Sequence, residues 1–581
     1  MRVEHLLLAL LLSFSFRVTA QIDVSQDYRL DFESAYHACP DLPKGWLEAV
    51  SFTNTQCHHL TDDNYFHDAP NAIPRAYGLM GLVKDGKGYF RENLHFVAEL
   101  SGISDAEILE SPASNVMAYA KAFERLVKEG RATETKGYLS VVQQLSELPI
   151  GEEKDVFAMQ SMLYSVCTFL NNEQYARQFG FSKYNIDLQA TFPEDYGLLS
   201  AEGLQVTRGS DYPQAIWKPA PECNFSQRTD LVSGVVIHYT EGSYAGCISW
   251  FQNCDAGVSA HYVIRSSDGQ VTQMVSEADK AWHARSANAY TIGIEHEAYG
   301  NIWSFFTDEM YQSSADLVRN ICSRYESIDG HRTFYRDTLD DGTCLNIGVH
   351  SLGGSNACTK IRGHQHYPDQ SHTDPGPYWD WNYYYKLINE GTSVTILEGE
   401  SGEISNLGYG DDERKIWVIR GPEESKISID FSEFQLEKDY DFLWIYDGDN
   451  VYAPKIGRWN TKSPGRVEAT GNVMCLEFRS DCATSELGWR AVWNAELPEP
   501  PEPEPEPGVY PNPTNDKFTI YSDNLGFTDV MICDLLGNRI VPFIRFQDSI
   551  EIDVSNWAPG VYIVHYGKPI QMEKTIKLVK I

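Results

Sequence analysis

GHQHYPDQSHTDPG (363–376), together with VVIHYT (235–240) upstream, decides how this chain is read. VVIHYT is a short, nearly unbroken apolar run rich in β-branched residues, the pattern of a strand buried on both faces in an α/β sheet. Its single imidazole, His238, interrupts the run near its end. The downstream loop crowds His364, His366, Asp369, His372 and Asp374 into eleven residues. Two imidazoles and a carboxylate suit zinc, and three protein ligands leave a fourth position open for water, the arrangement of hydrolytic sites. Spacing alone does not choose among the five loop residues.

Working outward, 581 residues are too many for one core and predict several domains. MRVEHLLLALLLSFSFRVTA (1–20) has a basic start, a short apolar run and a small-residue ending, the plan of a secretory signal. No later run reaches the roughly 18 to 20 apolar residues of a membrane span, so none is expected. A net charge of −35 argues against nucleic acid as a partner and suits solubility outside the cell. Twelve cysteines in a secreted chain predict disulfides. Cys344 with Cys358 and Cys475 with Cys482 are the first pairs to test. Cys247 and Cys254 lie seven apart in a helical pattern, so a bridge between them requires a helix end.

The plainest boundary is LPEPPEPEPEPG (497–508), an extended Pro/Glu spacer. Residues 21–200 carry helical periodicity, as in NVMAYAKAFERLVKEG and DVFAMQSMLYSVCTFLN, and predict an all-α domain. Over 205–392 strands alternate with helices. SYAGCISWFQN reads as a helix, SAHYVIRSSDGQVTQMV as two strands joined at a DG turn, TIGIEHEAY as a strand, and FTDEMYQSSADLVRNICSRYESI as an amphipathic helix capped by Thr307. That is an α/β domain with a mixed sheet. Residues 395–496 predict a β-sandwich and 509–581 a small all-β module.

VVIHYT, VSAHYVIRSSDGQVTQMVSEADKAWHAR, TIGIEHEA and IRGHQHYPDQSHTDPGPYWDW together resemble, in order and spacing, the zinc-dependent type 2 N-acetylmuramoyl-L-alanine amidases, and with them the peptidoglycan recognition proteins. The resemblance implies zinc held by His238, His364 and Asp374, with Glu295 as general base or orienter of the attacking water. His372 stands where many relatives have Lys, in support of a tetrahedral oxyanion. His261 and His283 match positions facing substrate or metal, although core histidines fit them equally well. His366 and Asp369 are left as loop residues, and Trp282, Tyr378 and Trp381 as core or groove wall.

PKGWLEAVSFTNTQCHHL and AYGLMGL resemble a lytic transglycosylase or lysozyme-like fold, but Asn54 stands where that family has its catalytic Glu. Glu48, six residues earlier and nearly two helical turns away, is a poor substitute. The implied reading is a degenerate glycan-binding module. FSEFQLEKDYDFLWIYDGDN and EFRSDCATSELGWRAVW resemble a CUB domain, which implies a calcium site at Glu437, Asp441 and Asp481. The tail, with YPNP, APGVY and KLVK, resembles the C-terminal sorting domain of type IX secretion and implies that machinery as a partner. Peptidoglycan is then the expected substrate. The alternative is a peptidoglycan-binding protein with an amidase fold and no turnover.

Overall fold

The computed structural model describes residues 28–65, 71–151, 153–200, 209–300, 302–338, 344–347, 357–368, 371–497, 508–521, 528–568 and 574–581. The predicted signal segment, most of the Pro/Glu spacer and Asp369 lie outside them. Two compact units result, one running to Glu496 and one from Leu497 onward.

The first unit opens with helices, among them α1 (Trp46–Thr55), α2 (Pro112–Gly130) and α3 (Glu153–Asn171). Local chemistry sets their limits. The Ser111 side chain caps α2 at the Ser114 amide, Pro112 begins its first turn, and Arg131 ends it in the left-handed region at φ 50°. Val116, Tyr119, Ala120, Phe123 and Val127 then form the buried stripe of α2.

A six-stranded mixed sheet follows, built from β1 (Ile216–Trp217), β2 (Gly234–Tyr239), β3 (Tyr262–Ile264), β4 (Val271–Gln273), β5 (Thr291–His296) and β6 (Ile361–Gly363), in the order β6-β2-β5-β3-β4-β1. β6, β2, β5 and β3 are mutually parallel, while β3 and β4 pair antiparallel across the predicted DG turn, where Gly269 takes φ +69°. Three helices flank the sheet: α4 (Tyr244–Phe251), α5 (Asp308–Arg324), capped by Thr307 as expected, and α6 (Trp381–Ile388). Strand alternation assigns the faces. Val235, Ile237, Ile292 and Ile294 pack against Leu317, Val318 and Ile321 of α5 and Trp381 and Leu387 of α6. The intervening positions, including His238 and Glu295, point to the opposite face.

That opposite face is covered by α4 and, beyond it, by the helical region. Tyr244, Ile248, Trp250 and Phe251 belong to the same hydrophobic core as Trp46, Phe123 and Phe169. The predicted boundary near 200 is therefore a boundary in sequence but not in packing.

The sandwich over 394–496 consists of a five-stranded and a four-stranded sheet, with Trp417, Leu443, Leu476, Trp489 and Trp493 between them. The outer face of the five-stranded sheet is also buried, since Ile416, Phe442, Trp444 and Tyr446 pack on Tyr335 and Tyr385. Arg479 lies 3.9 Å from the Tyr385 ring and 4.6 Å from the Trp444 ring, a cation–π contact across this junction. Arg332 pairs with Asp412 at 2.6 Å, and a disulfide joins Cys358 to Cys482.

Both predicted disulfides are thereby corrected. Cys482 takes Cys358, and Cys475 is a buried free thiol inside the strand Val473–Arg479. The second bridge joins Cys223 to Cys254. α4 does end between Cys247 and Cys254, but Cys247 remains a free thiol in the core. Connectivity depends on which loops the fold brings together, which spacing does not encode. The second unit is all-β, with Phe518, Ile520, Val530, Ile532, Val564 and Leu578 in its core.

Candidate active site

The site lies at the C-terminal ends of the parallel strands, where α/β sheets place their ligand clefts. His238 is the fifth residue of β2 and pairs in register with Glu295 of β5; Gly363 of β6 pairs with Ile237, so His364 emerges beside His238. Asp374 arrives from the loop after β6, packed closely enough that a Cβ on Gly363 would come within 2.4 Å of Pro375. Gly293 on β5 has a similar role, because a Cβ there would meet the His283 ring at 2.6 Å.

His238, His364 and Asp374 are buried, and their ligating atoms all lie within 4.8 Å of one another. His238 Nδ1 is 2.7 Å from Asp374 Oδ2, and His364 Nδ1 is 3.1 Å from Asp374 Oδ1. His372 stacks on His364, with ring centroids 4.3 Å apart, and its Nδ1 is 3.9 Å from Asp374 Oδ1. Two imidazoles and one carboxylate, buried and converging, form a donor set that fits zinc.

Electrostatics separates the two carboxyls of the site. Burial acts to raise Asp374, but the neighbouring His364 and His238 outweigh it and hold this carboxyl well below its usual range. Burial, reinforced by the charges of Asp374 and Glu241, holds Glu295 well above it. Its Oε2 is buried with no hydrogen-bond partner among the described residues. Burial also lowers His238, with Asp374 opposing. The groove around these groups encloses about 490 Å3.

The N-acetylmuramoyl-L-alanine amidase family profile matches residues 227–377. A curated relative, N-acetylmuramoyl-L-alanine amidase A of Achromobacter lyticus, is 41% identical over 182 residues, 31% of this chain and 97% of the relative. The chain belongs to the N-acetylmuramoyl-L-alanine amidase family. Two further profiles match this amidase, the CUB domain over 393–493 and the secretion system C-terminal sorting domain over 508–580. Procollagen C-endopeptidase enhancer 2 of Mus musculus is 34% identical over 113 residues, 18% of this chain and 27% of that protein. The solved structure of PlyL is 15% identical with a TM-score of 0.20, covering 30% of this chain and 96% of that one. The sorting domain marks the amidase for export to the cell surface or beyond. Among the described residues no helix is long and apolar enough to cross a membrane.

The remaining predicted residues divide. His283 lines the groove, its Nδ1 3.0 Å from His238 Nε2. His261 does not line it; fully buried, it accepts a hydrogen bond from the Gly293 amide and lies 2.8 Å from Arg228 Nη2, and burial takes its pKa down to about 3. The core reading of His261 replaces the substrate-facing one. Trp282 is groove wall and Trp381 is core, whereas Tyr378 is 49% exposed and is neither. His366 stacks on Phe334 at 3.8 Å.

Asn54 donates to the Met80 carbonyl and faces a cavity of about 20 Å3 shared with Gly242, Ser243 and Tyr299 of the amidase region, room for about one water and not for a sugar. Glu48 is buried on α1, where its carboxylate accepts from the Tyr36 hydroxyl at 2.6 Å. In the CUB region the ligating atoms of Glu437, Asp441 and Asp481 also lie within 4.8 Å of one another. Asp441 is held up to about 7 by burial, although it accepts from Tyr409 at 2.5 Å and from the Asp481 amide at 3.0 Å. Sequence reasoning missed the groove-lining residues Asn71, Ala72 and Ile73, which come from the helical region. Nothing local to them signals that placement.

Proposed function

We propose that this chain is an exported, zinc-dependent amidase that hydrolyses the amide between N-acetylmuramic acid and L-alanine in peptidoglycan. The observation that carries the reading is the convergence of His238, His364 and Asp374 in one groove with the in-register carboxyl of Glu295. His238, His364 and Asp374 would hold zinc, which when bound polarises the scissile carbonyl and lowers the pKa of water. With a cation in the neighbouring donor set the ionised form of Glu295 is favoured, and this carboxylate takes the proton from the attacking water, then returns it to the departing amine of L-alanine. His372, stacked on His364, donates a hydrogen bond to the developing oxyanion, and does so without a permanent charge. His283 orients His238 through the contact between their ring nitrogens.

The decisive experiment is mass spectrometry of peptidoglycan digested by the full chain, with metal content measured on the same sample. Stem peptides with a free L-alanine amine and one zinc per chain are expected. Intact muropeptides that nevertheless bind the protein would establish the non-catalytic recognition reading instead, and reducing or anhydro sugars would assign cleavage to the helical region.

Two further assignments belong to this reading. The peptide at 1–20 directs the first export step and the tail addresses the chain to the type IX machinery. Glu437, Asp441 and Asp481 take calcium through oxygen ligands. Millimolar calcium is then expected to raise the melting temperature of wild type but not of Asp481→Asn; equal shifts in both would remove calcium from that site.

A further inference from the structure

The groove is not built by the amidase region alone. Asn71, Ala72 and Ile73, from the helical region, line it together with Trp250 and Phe251 of α4 and with Val258. The segment is held at three points. The Trp250 indole N–H donates to the Asn71 carbonyl at 3.0 Å, and Lys87 Nζ donates to the Ala72 carbonyl at 2.6 Å. Ile73 fills a recess floored by glycines: a Cβ on Gly242 would come within 2.8 Å of Ile73 Cδ1, and one on Gly246 within 3.4 Å. Gly242 lies four residues after His238, so the recess sits on the loop that leaves the metal-site strand. Trp250 is in turn buried against Tyr89 and Phe90, with ring centroids 6.1 and 6.0 Å away.

We infer that Asn71–Ile73 is a fixed wall of the catalytic groove and a specificity-determining contact for the acetamido-sugar part of the substrate. The inference rests on the amidase reading. The chemistry of the wall favours the sugar over the stem peptide. Stem peptides present carboxylates, which call for cations, whereas this wall offers apolar side chains and one amide. Its two carbonyls at 71 and 72 are already engaged by Trp250 and Lys87. An N-acetyl group and the apolar face of a pyranose match such a surface. The helical region thus contributes to glycan recognition through this wall, in place of an open cleft at Asn54.

The test uses the full chain with two substitutions, Asn71→Ala at an exposed position and Ala72→Trp, which adds bulk to the groove. Zinc content and melting temperature are recorded for each. KM, kcat and calorimetric Kd are measured with a disaccharide-peptide, and Kd also with the sugar-free stem peptide. Asn71→Ala is expected to raise KM and Kd for the disaccharide-peptide about three- to tenfold, the range of one lost hydrogen bond, and Ala72→Trp by more. kcat stays within about twofold and stem-peptide affinity is unchanged. Wild-type KM and Kd in both variants would overturn the wall, and an equal loss toward the stem peptide would overturn the sugar assignment. If wild type releases no L-alanine amine, the amidase reading fails by itself, and the Kd comparison still decides the wall.

Discussion

Glu48 offers a quantitative test of how the helical region is stabilised. Its carboxyl, ordinarily near 4.5, is pushed up to about 7 by burial, with the Tyr36 hydroxyl opposing the shift. Below about pH 4.5 the folded and unfolded chains both hold this proton. Between 4.5 and 7 the unfolded chain has released it while the folded chain keeps it, so stability falls as pH rises through this window and the loss is complete above it. The gap, 7 minus 4.5 or about 2.5 pH units, corresponds at about 1.4 kcal/mol per unit to about 3 to 4 kcal/mol. Glu48→Gln keeps an acceptor for Tyr36 and removes the titration. If the first unit melts as one cooperative block, with an unfolding entropy on the order of 1 kcal/mol/K, the effect is about 3 to 4 °C. Scanning calorimetry of wild type and variant at pH 4.5, 6, 7 and 8 reads it. The variant should gain about 3 to 4 °C on wild type between the lowest and highest pH, with digestion products unchanged. A melting-temperature difference that stays constant across the series would refute the buried-carboxyl account, and lost glycan cleavage in the variant would make Glu48 an acid after all.

Three more outcomes are expected. Glu295→Gln should retain zinc, measured by plasma mass spectrometry, while turnover falls by about 10²- to 10⁴-fold, the usual contribution of a general base. Asp374→Ala should lose metal and activity together; full turnover in a zinc-loaded variant would remove Asp374 from the ligand set. Cys482→Ser opens a bridge spanning 124 residues, for which the chain-entropy estimate is about 5 kcal/mol. The variant should melt lower than wild type, and reductant should lower wild type more than the variant. Equal sensitivity of both to reductant would argue against the bridge.

Much of the site was legible because its chemistry lies in runs that strand physics interprets. VVIHYT and TIGIEH are buried parallel strands, and alternation along each places His238 and Glu295 on the face opposite Val235, Ile237, Ile292 and Ile294. The imidazoles of the crowded loop needed family register, because one turn of chain can aim any of them. His261 shows the limit of register, since its position matches but its nitrogens are engaged within the core. The joints between regions were missed, yet two segments carried a signal. Every residue of α4 is buried, and so is every residue of FLWIY (442–446). A helix apolar all round, or a strand of an antiparallel sandwich without alternation, must be covered on both sides. What covers them is a distant stretch of chain, which no local pattern names.

The shared core across residue 200 also bears on how this enzyme can be handled. A catalytic cassette cut at the family limits, 227–377, would leave Tyr244, Ile248, Trp250 and Phe251 bare on one side and Tyr335 on the other, and would strip Trp381, Tyr384 and Leu387 from the core beneath the sheet. Apolar patches of that kind favour aggregation. The portable piece for transplantation or fusion is the whole first unit, through Glu496. Its natural splice point in the sequence is the Pro/Glu spacer, which runs between the two compact units.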